Sequence, residues 1–268
     1  MELTVDGKTV FAATGGRPFD AAKPAVIFLH GAAMDHTVWQ LQTRYFAYHG
    51  YAVLALDLPG HGRSEGPPVT GIAEMAAWVG RVMTTAGLAG AALVGHSMGA
   101  LVALATAAAE PERVTALALL GVATTMPVHP DLLAAATAND HRAFELITSW
   151  AFGRRAHLGG HSTPGLWMTG GGVRLLERSA PGVLANDLAA CADFGDATEM
   201  AAAVRCPTLL LLGARDLMTP PKGAAALAKA IPGARMVVLP DSGHMMMIEQ
   251  PDATLDALRD HIAAEQAA

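Results

Sequence analysis

Six short, almost uninterrupted apolar runs constrain this chain more than any other feature. They are Ala25 to Leu29, "YAVLALDLPG" at 51–60, Ala91 to Val94, Val114 to Leu120, Thr208 to Leu212 and Ala234 to Leu239. Each has strand length, and nearly all are separated by helical patterns such as "WQLQTRYFAYHG". A strand that is apolar at successive positions must be covered on both faces, and intervening helices supply those covers. The prediction is an α/β fold: a mostly parallel, doubly wound sheet. Before it, "LTVDGKTVFAAT" alternates apolar and polar residues around Asp6-Gly7 and predicts an N-terminal β-hairpin.

One segment breaks the alternation. Between Met126 and Met200 there is no convincing buried strand, only helical pieces, "DLLAAATANDHRAFELITSWAF" and "GVRLLERSAPGVLANDLAACADF", joined by the glycine-rich "LGGHSTPGLWMTGGG". Residues 1–125 and 201–268 are therefore expected to form one core domain, with 126–200 inserted as a helical cap or lid. Sites in open α/β sheets lie at the carboxyl ends of the strands, where such an insertion would sit.

Composition excludes several classes. The net charge is −6 and no lysine or arginine block appears, so a nucleic-acid partner is not expected. No apolar run reaches membrane length. The opening lacks a basic start followed by an apolar stretch, so no secretory signal is expected and the expected location is cytoplasmic. Cys191 and Cys206 are too few for a disulfide framework, and neither sits in a C-x-x-C pair. His129, His141, His157 and His161 lack a metal-ligand spacing, and neither metal nor cofactor is expected. A homodimer fits the sequence as well as a monomer does.

The chemistry is concentrated in "ALVGHSMGAL", residues 92–101. A strand that turns sharply into a helix leaves little room two residues before and after the turn, and Gly95 and Gly99 stand there. Leu93 and Val94 end the strand, and Ala100 to Ala109 is a run of strong helix formers. Ser97 is thus placed at the tip of a strained turn with its hydroxyl exposed. Downstream, "LLLLGARDLMTP" brings Asp216 just past one strand, and "MVVLPDSGHMMMIEQP" brings His244 past the next. The three residues can converge on one sheet edge.

The chain order Ser, Asp, His is that of the α/β-hydrolase fold, and the sequence resembles that superfamily over nearly its whole length. The matching stretches are "FLHGAAMDHTVW", "ALDLPGHGRSEG", "LVGHSMGALVA", "PERVTALALLG", "PTLLLLGARDLMTP" and "LPDSGHMMMIEQP". The Pro-Gly-His-Gly-Arg-Ser turn is similar to that of the small esterase and enol-lactonase branch. The resemblance implies an α/β-hydrolase-type sheet with an N-terminal hairpin and a helical lid. It implies Ser97 as nucleophile, His244 as general base and then acid, and Asp216 as the group that orients His244. Two backbone N–H groups, of Met98 and Ala32, are implied as the oxyanion hole.

The same resemblance reads His30 and His61 as holders of loop conformation. His36 with Asp35 is read as a surface contact and Asp57 as a stabiliser of its turn. Met245 to Met247 fit a pocket wall or ordinary packing equally, and Trp39, Trp150 and Trp167 fit core or substrate contact. The expected activity is cleavage of a small, apolar carboxylic ester or lactone. Carbon–carbon bond hydrolysis of ring-fission products stays open, although Met245 stands where such relatives commonly carry tryptophan. So do cofactor-free haloperoxidase, perhydrolase or oxygenase chemistry, thioester or amide cleavage, and a ligand-binding receptor with little turnover.

Overall fold

The structure is a computed structural model that describes residues 1–195 and 197–264. Strands β1 (Glu2–Val5) and β2 (Lys8–Ala13) form the hairpin expected around Asp6-Gly7. Both turn residues have positive φ, 52° and 75°, the backbone of a type I′ turn, whose twist matches that of the paired strands. The apolar runs become β3 (Ala25–Leu29), β4 (Ala52–Leu56), β5 (Ala91–His96), β6 (Val114–Leu120), β7 (Thr208–Gly213) and β8 (Arg235–Leu239).

Across the sheet the order is β1-β2-β4-β3-β5-β6-β7-β8. The pair β2–β4 is antiparallel, and every pair from β4 to β8 is parallel. From β3 the chain steps outward to β4, then returns to begin β5 on the other side of β3. That reversal opens a crevice beyond the carboxyl ends of β3 and β5, where ligands bind in open α/β sheets.

Helices α1 (Gln40–Tyr48), α2 (Ile72–Thr85) and α3 (Met98–Ala109) connect the first strands. Between β6 and β7 run α4 (Pro130–Thr137), α5 (Arg142–Ala151), α6 (Arg154–His157), α7 (Met168–Leu176), α8 (Val183–Asp193) and α9 (Thr198–Ala201). The chain closes with α10 (Ala225–Ala230), α11 (Met246–Glu249) and α12 (Pro251–Ala264).

Strand periodicity sorts the core into two layers. Ile27, Leu54 and Leu93 pack with Val79 of α2 and Leu101 of α3. Their neighbours Val26, Val53 and Val94 face the opposite side, against Phe46 of α1 and Leu258 of α12. Both faces of β3 to β7 are covered, which is why those strands tolerate no polar alternation; β8, expected to be covered as well, is the edge strand and leaves Met236 and Val238 exposed.

The segment between β6 and β7 differs locally from its sequence reading. The expected helix over 131–152 splits into α4 and α5 at Asn139, which has φ of 53° and whose Oδ1 accepts the Gly182 N–H at 2.6 Å. The expected piece over 172–194 splits before α8 at Pro181, because proline pushes the residue before it out of the helical region. Gly170 to Gly172, read as linker, lie inside α7. A methyl on Gly170 would fall 2.3 Å from the Trp167 ring and one on Gly172 2.6 Å from the Phe152 ring. Two aromatic rings thus rest on the bare backbone of that helix.

Candidate active site

The β5–α3 turn is built around Ser97, whose φ of 54° and ψ of −117° are costly for a residue with a side chain. Its N–H donates to Leu120 O and its carbonyl accepts from Ala100 N, both at 2.9 Å. The flanking glycines are a steric requirement. A methyl on Gly95 would lie 2.1 Å from Gly99 O, and one on Gly99 2.4 Å from Leu29 O. Backbones of β3, β5 and α3 therefore touch, and Ser97 is held at the crevice. Met98 opens α3, so its N–H has no intrahelical acceptor.

Beyond β3, the Met34 N–H donates to Gly31 O at 3.2 Å and closes a turn over Gly31, Ala32, Ala33 and Met34. This turn runs beside Ser97: a methyl on Gly31 would lie 3.3 Å from Ser97 Cβ. His30 Nδ1 donates to Gly31 O at 2.8 Å, and its Nε2 accepts the Leu58 N–H at 3.1 Å. Burial, with His61 nearby, pushes the His30 pKa down to about 4, so its ring is neutral. It thus joins the β3 and β4 loops. His61 meets only acceptors, Pro59 O at 3.0 Å and Asp187 Oδ2 at 2.8 Å. Burial opposes its charge, but the Asp187 carboxylate raises its pKa above the ordinary imidazole value.

Asp216 and His244 occupy the loops after β7 and β8. His244 Nδ1 donates to Asp216 Oδ2 at 2.7 Å. The same carboxylate accepts from Met218 N (2.7 Å), Thr219 N (2.8 Å) and Thr219 Oγ1 (2.8 Å). Burial works against its charge, yet His244 and Thr219 hold its pKa at about 2. The His244 backbone is fixed as well. Its N–H donates to Ala151 O at the end of α5 at 2.6 Å, and its carbonyl accepts from His96 Nε2 at 3.0 Å. Burial and the neighbouring His244 keep His96 neutral.

Ala32, Ser97, Thr219 and His244 line one cavity of about 320 Å³. Its walls include Leu132 of α4, Ile147 and Trp150 of α5, and Leu188 and Cys191 of α8. No lysine or arginine lines it among the described residues. The structure therefore brings Ser97, His244, Asp216, Ala32 and Met98 to one end of the sheet, under an apolar wall.

Of the other residues singled out by sequence, His129, Trp150 and Cys191 line this cavity, and others lie elsewhere. Trp39 is core, 5.3 Å from the Phe28 ring, and Trp167 is 75% exposed. Met245 to Met247 are buried in packing on the α1–α12 side. His36 does not pair with Asp35; its N–H and Nδ1 both reach Asp57 Oδ1 at 2.8 Å, and its ring packs on Phe11. Asp57 Oδ2 accepts from Arg63 N at 2.9 Å, which ties the turn. Asp35, His36 and Asp57 are close enough to hold an ion. Their oxygens are engaged, Asp35 with Thr37 and Arg178 and Asp57 with His36 and Arg63. Ala151 and Asp187 carried no sequence signal, because they act across long chain separations. Thr219 had a local one, its place three residues after Asp216, where its N–H and hydroxyl close the aspartate's own turn. No helix among the described residues is long and apolar enough to cross a membrane.

Comparison with known proteins agrees with this architecture. A family model described as "Alpha/beta hydrolase family" matches residues 26–257. A Klebsiella pneumoniae subsp. pneumoniae protein named "Putative carbamate hydrolase RutD" is 30% identical, covering 90% of this chain and 92% of its own. A "Pimeloyl-[acyl-carrier protein] methyl ester esterase" of Aromatoleum aromaticum is also 30% identical, covering 86% and 94%. The solved esterase from Exiguobacterium antarcticum shares the fold, with a TM-score of 0.85 over 98% of this chain and 99% of its own at 19% identity. The eight-stranded sheet, the strained turn at Ser97 and the family match lead to one statement: this chain belongs to the alpha/beta hydrolase family.

Proposed function

We propose that the chain is a serine hydrolase that cleaves a small, uncharged carboxylic ester or lactone through an acyl-enzyme on Ser97. The observation that carries this reading is the 2.7 Å bond from His244 Nδ1 to Asp216, beside a cavity that His244 shares with Ser97. A serine hydroxyl is a weak nucleophile at neutral pH and needs a base. Asp216, with a pKa of about 2, is anionic across the working range and holds the proton on Nδ1. His244 Nε2 is then left to accept one.

The steps follow from these positions. Ser97 Oγ attacks the carbonyl carbon while His244 Nε2 takes its proton. The oxyanion enters the backbone N–H groups of Met98 and Ala32, each donor worth about 10² to 10³ in rate. The tetrahedral adduct collapses, and the leaving alkoxide takes the proton from His244. Water then attacks the acyl carbon, His244 removes a proton from it, and Ser97 recovers that proton as the acid leaves.

The cavity lining narrows the substrate. The lining has no lysine or arginine, and its basic side chains are the histidines His129 and His244, so no permanently cationic group offsets the desolvation of a substrate carboxylate. This favours a neutral ester over the anionic ring-fission products of carbon–carbon hydrolases. The esterase name of the 30% identical Aromatoleum aromaticum relative supports the same direction. The helical residues 126–200 act as the cap, supplying Leu132, Ile147, Trp150 and Leu188 to the acyl-binding wall. The test is hydrolysis of p-nitrophenyl esters from acetate to octanoate and of simple lactones, by wild type and Ser97→Ala. Turnover abolished in Ser97→Ala is the expected result; equal turnover by both would refute the reading.

A further inference from the structure

The Asp187 carboxylate is buried on α8, yet two of its partners lie outside the helical segment. Its Oδ2 accepts from the Ala33 N–H at 2.8 Å and from His61 Nε2 at 2.8 Å, across chain separations of 154 and 126 residues. Oδ1 accepts from Asn186 Nδ2 at 3.2 Å. One oxygen thus joins the loop after β3 to the loop after β4.

The Ala33 backbone needs such a hold. It has φ of 55° at the third position of the turn from Gly31 to Met34. A turn with that sign at that position ordinarily uses glycine or asparagine, because a Cβ is strained there. Ala32, whose N–H is assigned to the oxyanion, precedes it in the same turn. On the same helix as Asp187, Leu188 and Cys191 line the cavity.

We infer that Asp187 is a positioning residue for acyl transfer: it locks the Ala32–Ala33 turn against α8, so the oxyanion donor is formed only when the helical segment is seated over the cavity. The inference rests on the Ser97 reading above. The chemistry requires a carboxylate at this place. Oδ2 faces two donors, and the His61 ring between Pro59 O and Asp187 satisfies both acceptors only as an imidazolium. An asparagine that keeps its oxygen toward Ala33 and His61 turns its NH₂ against the Asn186 NH₂ and removes the charge that the His61 imidazolium needs, while the opposite flip breaks the Ala33 and His61 contacts themselves. The titratable groups facing His61 are His30, with ring centroids 4.9 Å apart, Asp57 and Asp187; Cys191 lies one turn along α8 from Asp187.

The experiment measures kcat and KM for p-nitrophenyl butyrate with wild type, Ser97→Ala, Asp187→Asn, Asp187→Ala and the double variant Ala33→Gly/Asp187→Asn. Thermal unfolding of each variant checks the fold. Asp187→Asn and Asp187→Ala should lose on the order of 10² in kcat with little change in KM, as loss of an oxyanion donor does. The double variant should regain about ten-fold in kcat over Asp187→Asn, because glycine takes positive φ unaided. A purely structural role in the helical segment would not respond to a change at Ala33. Should Asp187→Ala fail to fold, the single and double variants that carry Asp187→Asn decide alone, since they share the loss of the buried charge. Loss in Ser97→Ala with wild-type turnover in Asp187→Asn, or a kcat loss that Ala33→Gly leaves untouched, would overturn this inference alone. Wild-type turnover by Ser97→Ala would overturn the acyl-transfer reading and this inference with it.

Discussion

Asp216 Oδ2 lies 2.7 Å from His244 Nδ1, and the same carboxylate is pinned by the backbone N–H groups of Met218 and Thr219. Its position is therefore set by its own loop, independently of the imidazole. The pairing fixes which ring nitrogen of His244 carries the proton.

Asp216→Asn should keep the loop but offer His244 Nδ1 an NH₂ group or a weaker acceptor, favouring the wrong tautomer. The expected loss in kcat is about 10⁴-fold, with a Tm near that of wild type. A loss below ten-fold in steady-state kinetics would argue against the assigned role.

Ser97→Gly and Ser97→Ala should both abolish acyl transfer but separate in stability. Alanine keeps the strain at φ of 54°, whereas glycine relieves it. Denaturant unfolding should find Ser97→Gly more stable than Ser97→Ala by about 1 kcal/mol, after the greater chain entropy of glycine is counted. The reverse order would contradict a strained turn.

Ile147 on α5 is buried against the cavity. Ile147→Ala removes apolar volume from the acyl wall. The octanoate-to-butyrate ratio of kcat/KM for p-nitrophenyl esters should rise about ten-fold, within the roughly 1–3 kcal/mol that one methylene carries in such a pocket. An unchanged ratio would place the acyl chain elsewhere.

The His61–Asp187 contact has a pH signature. The folded pKa of His61 is raised, so the pair's stabilisation is fully present below the ordinary value of 6.5 and is lost as pH rises through the raised value. The Tm gap between wild type and Asp187→Asn should be widest near about pH 5.5 and shrink toward about pH 9. Asp216, with its lowered pKa, loses its contribution only as pH falls toward 2, and does so equally in both proteins. A gap that widens with pH would contradict an imidazolium–carboxylate pair.

Much of this organisation was legible in the sequence because it is local. The strands were continuous apolar runs, the hairpin was an Asp-Gly between alternating residues, and the Ser97 turn was announced by two glycines with a strand before and a helix after. Most of what escaped was non-local. Asp187 sits mid-helix with no periodic signal, and its partners lie 126 and 154 residues away. The break between α4 and α5 falls on the polar run Asn139 to Arg142, a local turn signal that the alanine-rich helical composition on either side outweighed. The glycines of α7 read as linker because composition does not show the rings that rest on them, Trp167 within the same stretch and Phe152 from the end of α5.

The most direct test of the central claim is trapping of the acyl-enzyme. Wild type mixed with excess p-nitrophenyl ester and quenched in acid should show, by intact mass and peptide mapping, one acyl adduct on Ser97, absent from Ser97→Ala. An adduct on another residue, or undiminished hydrolysis by Ser97→Ala, would contradict acyl transfer through Ser97.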